Sequence, residues 1–96
     1  MTMIEKSFEW DEEKNRLLQA ERGLSFEAII VAIQNGHLID ISNHPIRPNQ
    51  KVFEVEMEGY IVRVPFVEDE KKIFLKTAFH SRKSTKKHLG KKDHGH

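Results

Sequence analysis

The feature that most constrains this fold is the alternation of apolar and polar residues between positions 51 and 80, broken by two turn signals. Glu58-Gly59 is a two-residue turn of the kind that joins antiparallel strands, and 68–71 is a longer, acidic turn. The pattern therefore predicts three antiparallel strands at about 51–57, 60–67 and 72–80. Successive side chains of a strand point to opposite sides, so one face should be packed and the other free.

Counting outward from the two turns predicts the register of these strands, and a slip of one residue would exchange the two faces. The rows predicted for the apolar face are Met57/Tyr60/Phe79, Val55/Val62/Thr77 and Phe53/Val64/Leu75. The rows predicted for the opposite face are Glu56/Ile61/Ala78, Glu54/Arg63/Lys76 and Val52/Pro65/Phe74. His80 is expected on the same face as Lys76.

Two helices are predicted before these strands. The first spans about 12–22, between an N-cap at Asp11 and a terminating Gly23. The second begins after Ser25, carries apolar residues at helical spacing and stops at Asn35-Gly36. Shorter elements are predicted as a strand at 8–10, an edge strand near 38–41 and a basic helix capped by Ser81.

These elements indicate one α+β domain over residues 1–90. Two N-terminal helices should pack on an antiparallel sheet of three to four strands, followed by a short basic C-terminal helix. We expect residues 91–96 to form a disordered basic tail. The histidines there have no recognisable metal-ligand spacing, so no metal site is predicted.

Composition excludes several classes of function. The chain has no cysteine, so a disulfide, a thiolate nucleophile and a zinc–thiolate site are impossible. No apolar run approaches the ~18 residues of a membrane span, and no signal-peptide pattern begins the chain. No glycine-rich phosphate loop or dinucleotide motif is present. We therefore expect a cytoplasmic protein without cofactor and without a membrane partner.

Charge is strongly segregated along the chain. Residues 1–70 contain 7 Lys and Arg against 14 Asp and Glu, whereas residues 71–96 contain 9 against Asp93 alone. The balances are therefore −7 and +8. Such segregation suggests an anionic partner for the C-terminal segment, although a solubilising tail would give the same count.

The predicted face opposite the core carries the groups that cleavage of an RNA backbone requires. A base must take the 2′-hydroxyl proton, cations must stabilise the phosphorane, and an acid must protonate the leaving 5′-oxygen. The candidate catalytic residues are Glu54, Arg63, Lys76, His80 and Arg82. Glu54 or His80 could be the base, and His80 or Lys83 the acid. A plain surface ion pair between Glu54 and Arg63 is the alternative.

Further residues are candidates for holding nucleic acid without reacting. Cations of the C-terminal segment suit phosphate, and Phe74 could stack a base. The predicted nucleic-acid-binding residues are Lys83, Lys86, Lys87 and Phe74.

The sequence also resembles the BrnT-type toxins. The resemblance is carried by Phe8-Glu9-Trp10-Asp11-Glu12-Glu13-Lys14-Asn15, by Arg22-Gly23-Leu24-Ser25-Phe26-Glu27-Ala28 and by 79–87. It covers about residues 8–89. The family's Lys-His-Gly is Glu21-Arg22-Gly23 here, and its Ile-Ser-Ala strand end is replaced by 76–80.

The resemblance implies a RelE-like fold and a ribonuclease toxin of a type II toxin–antitoxin pair. It also implies a DNA-binding antitoxin partner, expected to be of the ribbon-helix-helix type. Matching motif positions are Trp10, Asp11, Lys14, Ser25, Phe26, Arg82 and Thr85. The leading hypothesis is thus a metal-independent endoribonuclease toxin with RNA as substrate. The alternative is a small domain that binds nucleic acid or a partner without catalysis.

Overall fold

The computed structural model describes residues 6–90, which form an α+β arrangement of three helices and six strands. The predicted tail at 91–96 lies outside the described residues. The elements in chain order are β1 (Ser7–Trp10), α1 (Glu12–Arg22), α2 (Phe26–Gln34), β2 (Leu38–Asn43), β3 (Lys51–Met57), β4 (Tyr60–Glu68), β5 (Lys72–Leu75), β6 (Phe79–His80) and α3 (Arg82–His88).

The helices begin and end where the sequence predicts. The Asp11 carboxylate accepts a hydrogen bond from the Glu13 amide at 3.0 Å, and Gly23 ends α1 with φ +65°. The Ser25 hydroxyl accepts from the Ala28 amide at 3.1 Å and so caps α2. Among residues 6–90, no helix is long and apolar enough to cross a membrane.

The sheet is larger than predicted. Its strand order is β1-β5-β4-β3-β2, with β6 pairing separately with β4. All pairs are antiparallel except β1 with β5, which is parallel. The first strand of the described residues therefore precedes the helices and completes the sheet beside β5. The prediction of three to four antiparallel strands omitted this long-range parallel pair.

The predicted register between β3 and β4 is confirmed. Glu54 lies opposite Arg63, Val55 opposite Val62 and Met57 opposite Tyr60. Glu58 and Gly59 both have positive φ, +56° and +86°, as a type I′ turn requires. A two-residue turn of this kind leaves no freedom in the pairing, so counting from it gives the correct rows.

The predicted register between β4 and the last strand is wrong. Leu75 lies opposite Phe66, not Val64, and the single strand expected at 72–80 is divided into β5 and β6. Lys76 therefore does not lie opposite Arg63. Phe79 takes that place, and His80 lies opposite Val62, on the face where Phe79 was expected.

The division of the strand is centred on Ala78. Its side chain is fully buried in the core, although the predicted register placed it on the opposite face. The Ala78 carbonyl accepts a hydrogen bond of 2.8 Å from Arg22 Nη1, at the end of α1. This partner satisfies a carbonyl turned away from the ladder, which local counting along the strand cannot anticipate.

The two faces of the sheet have different coverings. Leu18 of α1 and several apolar residues of α2 form the main core with Phe53, Val55, Val62 and Val64. Glu54 alternates with these core residues and so points to the other face, where α3 contacts it.

Candidate nucleic-acid interface

The basic helix α3 is held on β4 by a local hydrogen-bond cluster. The Ser81 hydroxyl accepts from the Ser84 amide and caps the helix, as predicted. The Ser81 amide donates to the Ile61 carbonyl at 2.9 Å, and Thr85 Oγ1 accepts from the Ile61 amide at 2.8 Å. Two bonds to one residue of β4 therefore fix the position of the first turn of α3.

Glu54 and Arg63 come together as predicted, but beneath α3. Glu54 is only 5% exposed. Its Oε1 lies 2.7 Å from His88 Nε2, and its Oε2 lies 3.5 Å from both Arg63 Nε and the Ser84 hydroxyl. Three groups of the protein thus share the carboxylate, which is withdrawn from solvent.

Asp40 extends this cluster toward the sheet edge. It pairs with Glu54 across β2 and β3, and ligand atoms of Asp40, Glu54 and His88 lie within 4.8 Å of one another. These residue types can bind a divalent cation. The Arg63 guanidinium beside Glu54 opposes such binding, because it already supplies positive charge to the same carboxylate.

Lys76 occupies a separate position, away from Glu54. Its backbone amide donates to the Pro65 carbonyl at 2.8 Å, which holds it at the end of β5. Its ammonium lies 5.7 Å from the centre of the Phe74 ring, within the range of a cation–π contact. The predicted row of Glu54, Arg63 and Lys76 is therefore reduced to its first two members.

A basic groove lies where α3 meets the β3–β4 turn. It is open, has a volume of about 550 Å³ and includes two glycines that leave its rim free of side chains, Gly59 and Gly90. Its side chains come from Tyr60, Arg82, Lys83, Thr85 and Lys86. Three of these are cationic and none is a carboxylate. The predicted Lys87 is exposed on α3 but does not line this basic groove.

His80 joins the basic groove through Tyr60. The two rings pack edge to face with centroids 5.7 Å apart, and Tyr60 is 46% exposed. The structure therefore gathers four of the predicted residues around one open site, with the phenol of Tyr60 beside them. Those four are His80, Arg82, Lys83 and Lys86.

Sequence reasoning missed several residues of these sites. Tyr60 was predicted as part of the packed face, but it is nearly half exposed and packs against His80 instead of the core. His88 stands four residues after Ser84, a helical spacing that places both on one side of α3. That spacing was visible in the sequence, whereas the face of the sheet that α3 covers was not.

Comparison with protein-family models, curated proteins and solved structures finds no match to this chain.

Proposed function

We propose that this chain is a metal-independent endoribonuclease toxin with a RelE-like arrangement, in which two N-terminal helices pack on the sheet. The basic groove is its RNA site. The observation that carries the proposal is the convergence of Arg82, Lys83 and Lys86 on a groove that also contains Tyr60. The resemblance to BrnT-type toxins supports the same class of activity.

The residues of the basic groove suit attack by a 2′-hydroxyl on the adjacent phosphate. Arg82 can hold two phosphate oxygens through its planar guanidinium, while lysine ammonium groups supply point charges. Together they stabilise the negative charge that grows on the phosphorane. The P–O5′ bond then breaks, leaving a 2′,3′-cyclic phosphate and a 5′-hydroxyl.

His80 is the group best placed for proton transfer. It is exposed beside Tyr60, and an imidazole ring can both accept and donate a proton. In this proposal His80 takes the 2′-hydroxyl proton, and Lys83 or Tyr60 protonates the leaving 5′-oxygen. Glu54 serves as an anchor of α3, since its carboxylate is buried and paired.

A cleavage assay with purified protein tests this function. We expect a single-stranded RNA to be cut in the presence of EDTA, giving cyclic-phosphate ends, while an all-deoxy strand stays intact. His80→Ala and Arg82→Ala should each lower the rate by at least about 100-fold. Arg16→Ala, which removes an exposed arginine of α1, is the matched control and should cleave like the wild type.

Induced expression should arrest growth, and the two groove variants should relieve the arrest. Absence of RNA cleavage together with unimpaired growth would contradict the toxin assignment. A neighbouring gene for a small ribbon-helix-helix protein, whose co-expression restores growth, would identify the proposed antitoxin.

A second candidate is a protein that binds nucleic acid without cutting it. The burial of Glu54 favours it, because a buried and paired carboxylate cannot take a proton from RNA in the basic groove, so the catalytic set loses one candidate base. Salt-sensitive RNA binding without cleavage products would select this function.

A further inference from the structure

We propose that the sheet face beside α3 binds the bases of single-stranded RNA, with one base stacked on Phe79 and another on Phe74. This inference rests on the proposed function, since the basic groove would hold a phosphate of the same strand. We call this surface the stacking face and define it by Arg63, Phe74, Lys76 and Phe79.

The pairing of the strands places both rings on one side of the sheet. Phe79 lies opposite Arg63, and Phe74 lies opposite Val67, which is four residues further along β4 and therefore on the same side. Phe79 is 37% exposed and Phe74 is half-buried. The break around Ala78 is what turns Phe79 out of the core. A large aromatic ring is thereby left facing solvent beside a guanidinium.

The charge of the stacking face favours a polyanion. Arg63 and Lys76 lie next to Phe79 and Phe74, respectively. Glu54 is paired with Arg63 and His88, and Glu9 is paired with Lys72 at 3.6 Å. Asp40 lies beyond Glu54 on β2, two strands from the strand that carries Arg63. When a base stacks on Phe74, the Lys76 ammonium can leave the ring for the adjoining phosphate, since an exposed cation–π contact is weak.

The spacing of the rings selects an unpaired strand. The positions opposite Phe79 and Phe74 are four residues apart along β4, a distance of ~13 Å at the usual strand rise. Stacked nucleotides in a duplex are ~3.4 Å apart along each strand. Bases on the two rings therefore cannot be neighbours in a continuous stack. They must be splayed, as in single-stranded recognition by aromatic side chains.

The stacking face also leads to the basic groove. Thr85 of the basic groove bonds to Ile61, which lies two residues before Arg63 on the same side of β4, or ~7 Å along the strand. A strand with its reactive phosphate in the basic groove therefore reaches Phe79 first and Phe74 further on. The substrate inferred is single-stranded RNA that extends several nucleotides from the bond to be cut.

Fluorescence anisotropy with a labelled single-stranded RNA tests the stacking face. The RNA carries 2′-O-methyl groups, which prevent cleavage, and a duplex of the same sequence is titrated in parallel. Phe79→Leu and Phe74→Leu keep apolar volume but remove the ring, and we expect each to weaken single-strand binding by about 5- to 140-fold. Phe79→Tyr should bind like the wild type. Ile46→Ala, at a residue 79% exposed in the β2–β3 loop, is the control.

Salt dependence separates stacking from charge. The phenylalanine variants should lower affinity equally at every salt concentration. Lys76→Gln should reduce the slope of log affinity against log salt by about 0.7, because one phosphate contact is lost. Duplex binding should not change in the phenylalanine variants.

The proposal is overturned if Phe79→Leu and Phe74→Leu bind single-stranded RNA like the wild type. It is also overturned if the phenylalanine variants weaken duplex binding as much as single-strand binding. The same holds if they weaken binding of a poly-glutamate peptide and leave RNA binding unchanged. If the protein cleaves RNA but its binding does not depend on the rings, the stacking proposal is wrong and the ribonuclease proposal stands. If binding depends on the rings but the all-ribose RNA is not cleaved, the ribonuclease proposal is wrong and the stacking proposal stands.

Discussion

Glu54 Oε1 and His88 Nε2 lie 2.7 Å apart and join the middle of β3 to the last turn of α3. The His88 side chain is 17% exposed and that of Glu54 is 7% exposed, so water competes little for this contact. Arg63 and Ser84 approach the second carboxylate oxygen. A residue that the sequence suggests as a catalytic base is thereby placed as the attachment point of the basic helix.

Removal of this attachment should destabilise the protein. We expect Glu54→Ala to lower the free energy of unfolding by about 1.5–3 kcal/mol, because it deprives His88 of its charged hydrogen-bond partner and Arg63 of its counter-charge. Urea denaturation measures this change. Glu56→Ala, two residues along the same strand with a side chain 37% exposed, should change it by less than about 0.5 kcal/mol. Equal losses in both variants would contradict the anchoring role, and a double-mutant cycle with His88→Ala isolates the pair.

Arg22 should hold the break between β5 and β6. Its Nη1 donates to the Ala78 carbonyl at 2.8 Å, and this contact keeps residues 76–80 in place. We expect Arg22→Ala to accelerate amide hydrogen exchange across 76–80, since local opening no longer breaks that bond. Exchange in β3 should be unaffected. The exposed Arg16→Ala variant should exchange like the wild type, and an unchanged rate at 76–80 in Arg22→Ala would show that the tether is dispensable.

Asn15 joins α1 to the start of α2. It is 2% exposed, its Oδ1 accepts from the Phe26 amide and its Nδ2 donates to Glu27, both at 2.8 Å. Asn15→Ala should cost about 1–3 kcal/mol, because the buried amide of Phe26 loses its partner. Asn15→Asp should be at least as harmful, since it brings a second carboxylate against Glu27. Thermal unfolding of the two variants, compared with that of Gln19→Ala on the exposed side of α1, measures the effect.

Acid should weaken the contacts of Glu68. The hydrogen bond from Lys6 at 2.8 Å lowers the pKa of Glu68 below its usual value, with Lys51 contributing at 3.3 Å. A carboxyl with a lowered folded-state pKa contributes stability above the unfolded-state pKa and loses it as the pH falls through the folded-state value. As the pH is lowered below about 4.5, the melting temperature of Glu68→Gln should therefore decrease less than that of the wild type. Glu70→Gln, an exposed residue of the next turn, should retain the wild-type pH dependence.

Local signals in the sequence were sufficient for most elements. The caps at Asp11, Ser25 and Ser81 and the turn at Glu58-Gly59 act within three residues of chain, so neighbouring side chains determine them. The tight turn also determines which residues of β3 and β4 lie opposite each other. For that reason the pairing of Glu54 with Arg63 could be predicted, and the structure contains it.

The candidate site was less accessible to prediction. Charge segregation indicated that Arg82, Lys83 and Lys86 belong to one basic surface, and they line one groove. The exposure of Tyr60 in the basic groove and the exposure of Phe79 depend on which parts of the sheet the helices leave uncovered. No pattern within a single strand carries that information.

The alternating stretch from 51 to 80 by itself determined β3, β4, the turn that joins them and the register of that pair. Tertiary structure decided where the last strand leaves the ladder, because the core buries the side chain of Ala78 while Arg22 binds its carbonyl. It also decided that α3 covers Glu54, since that requires contacts between residues 34 positions apart. Local geometry is set by bonds to near neighbours, whereas burial and the meeting of distant charges follow only from the packed chain.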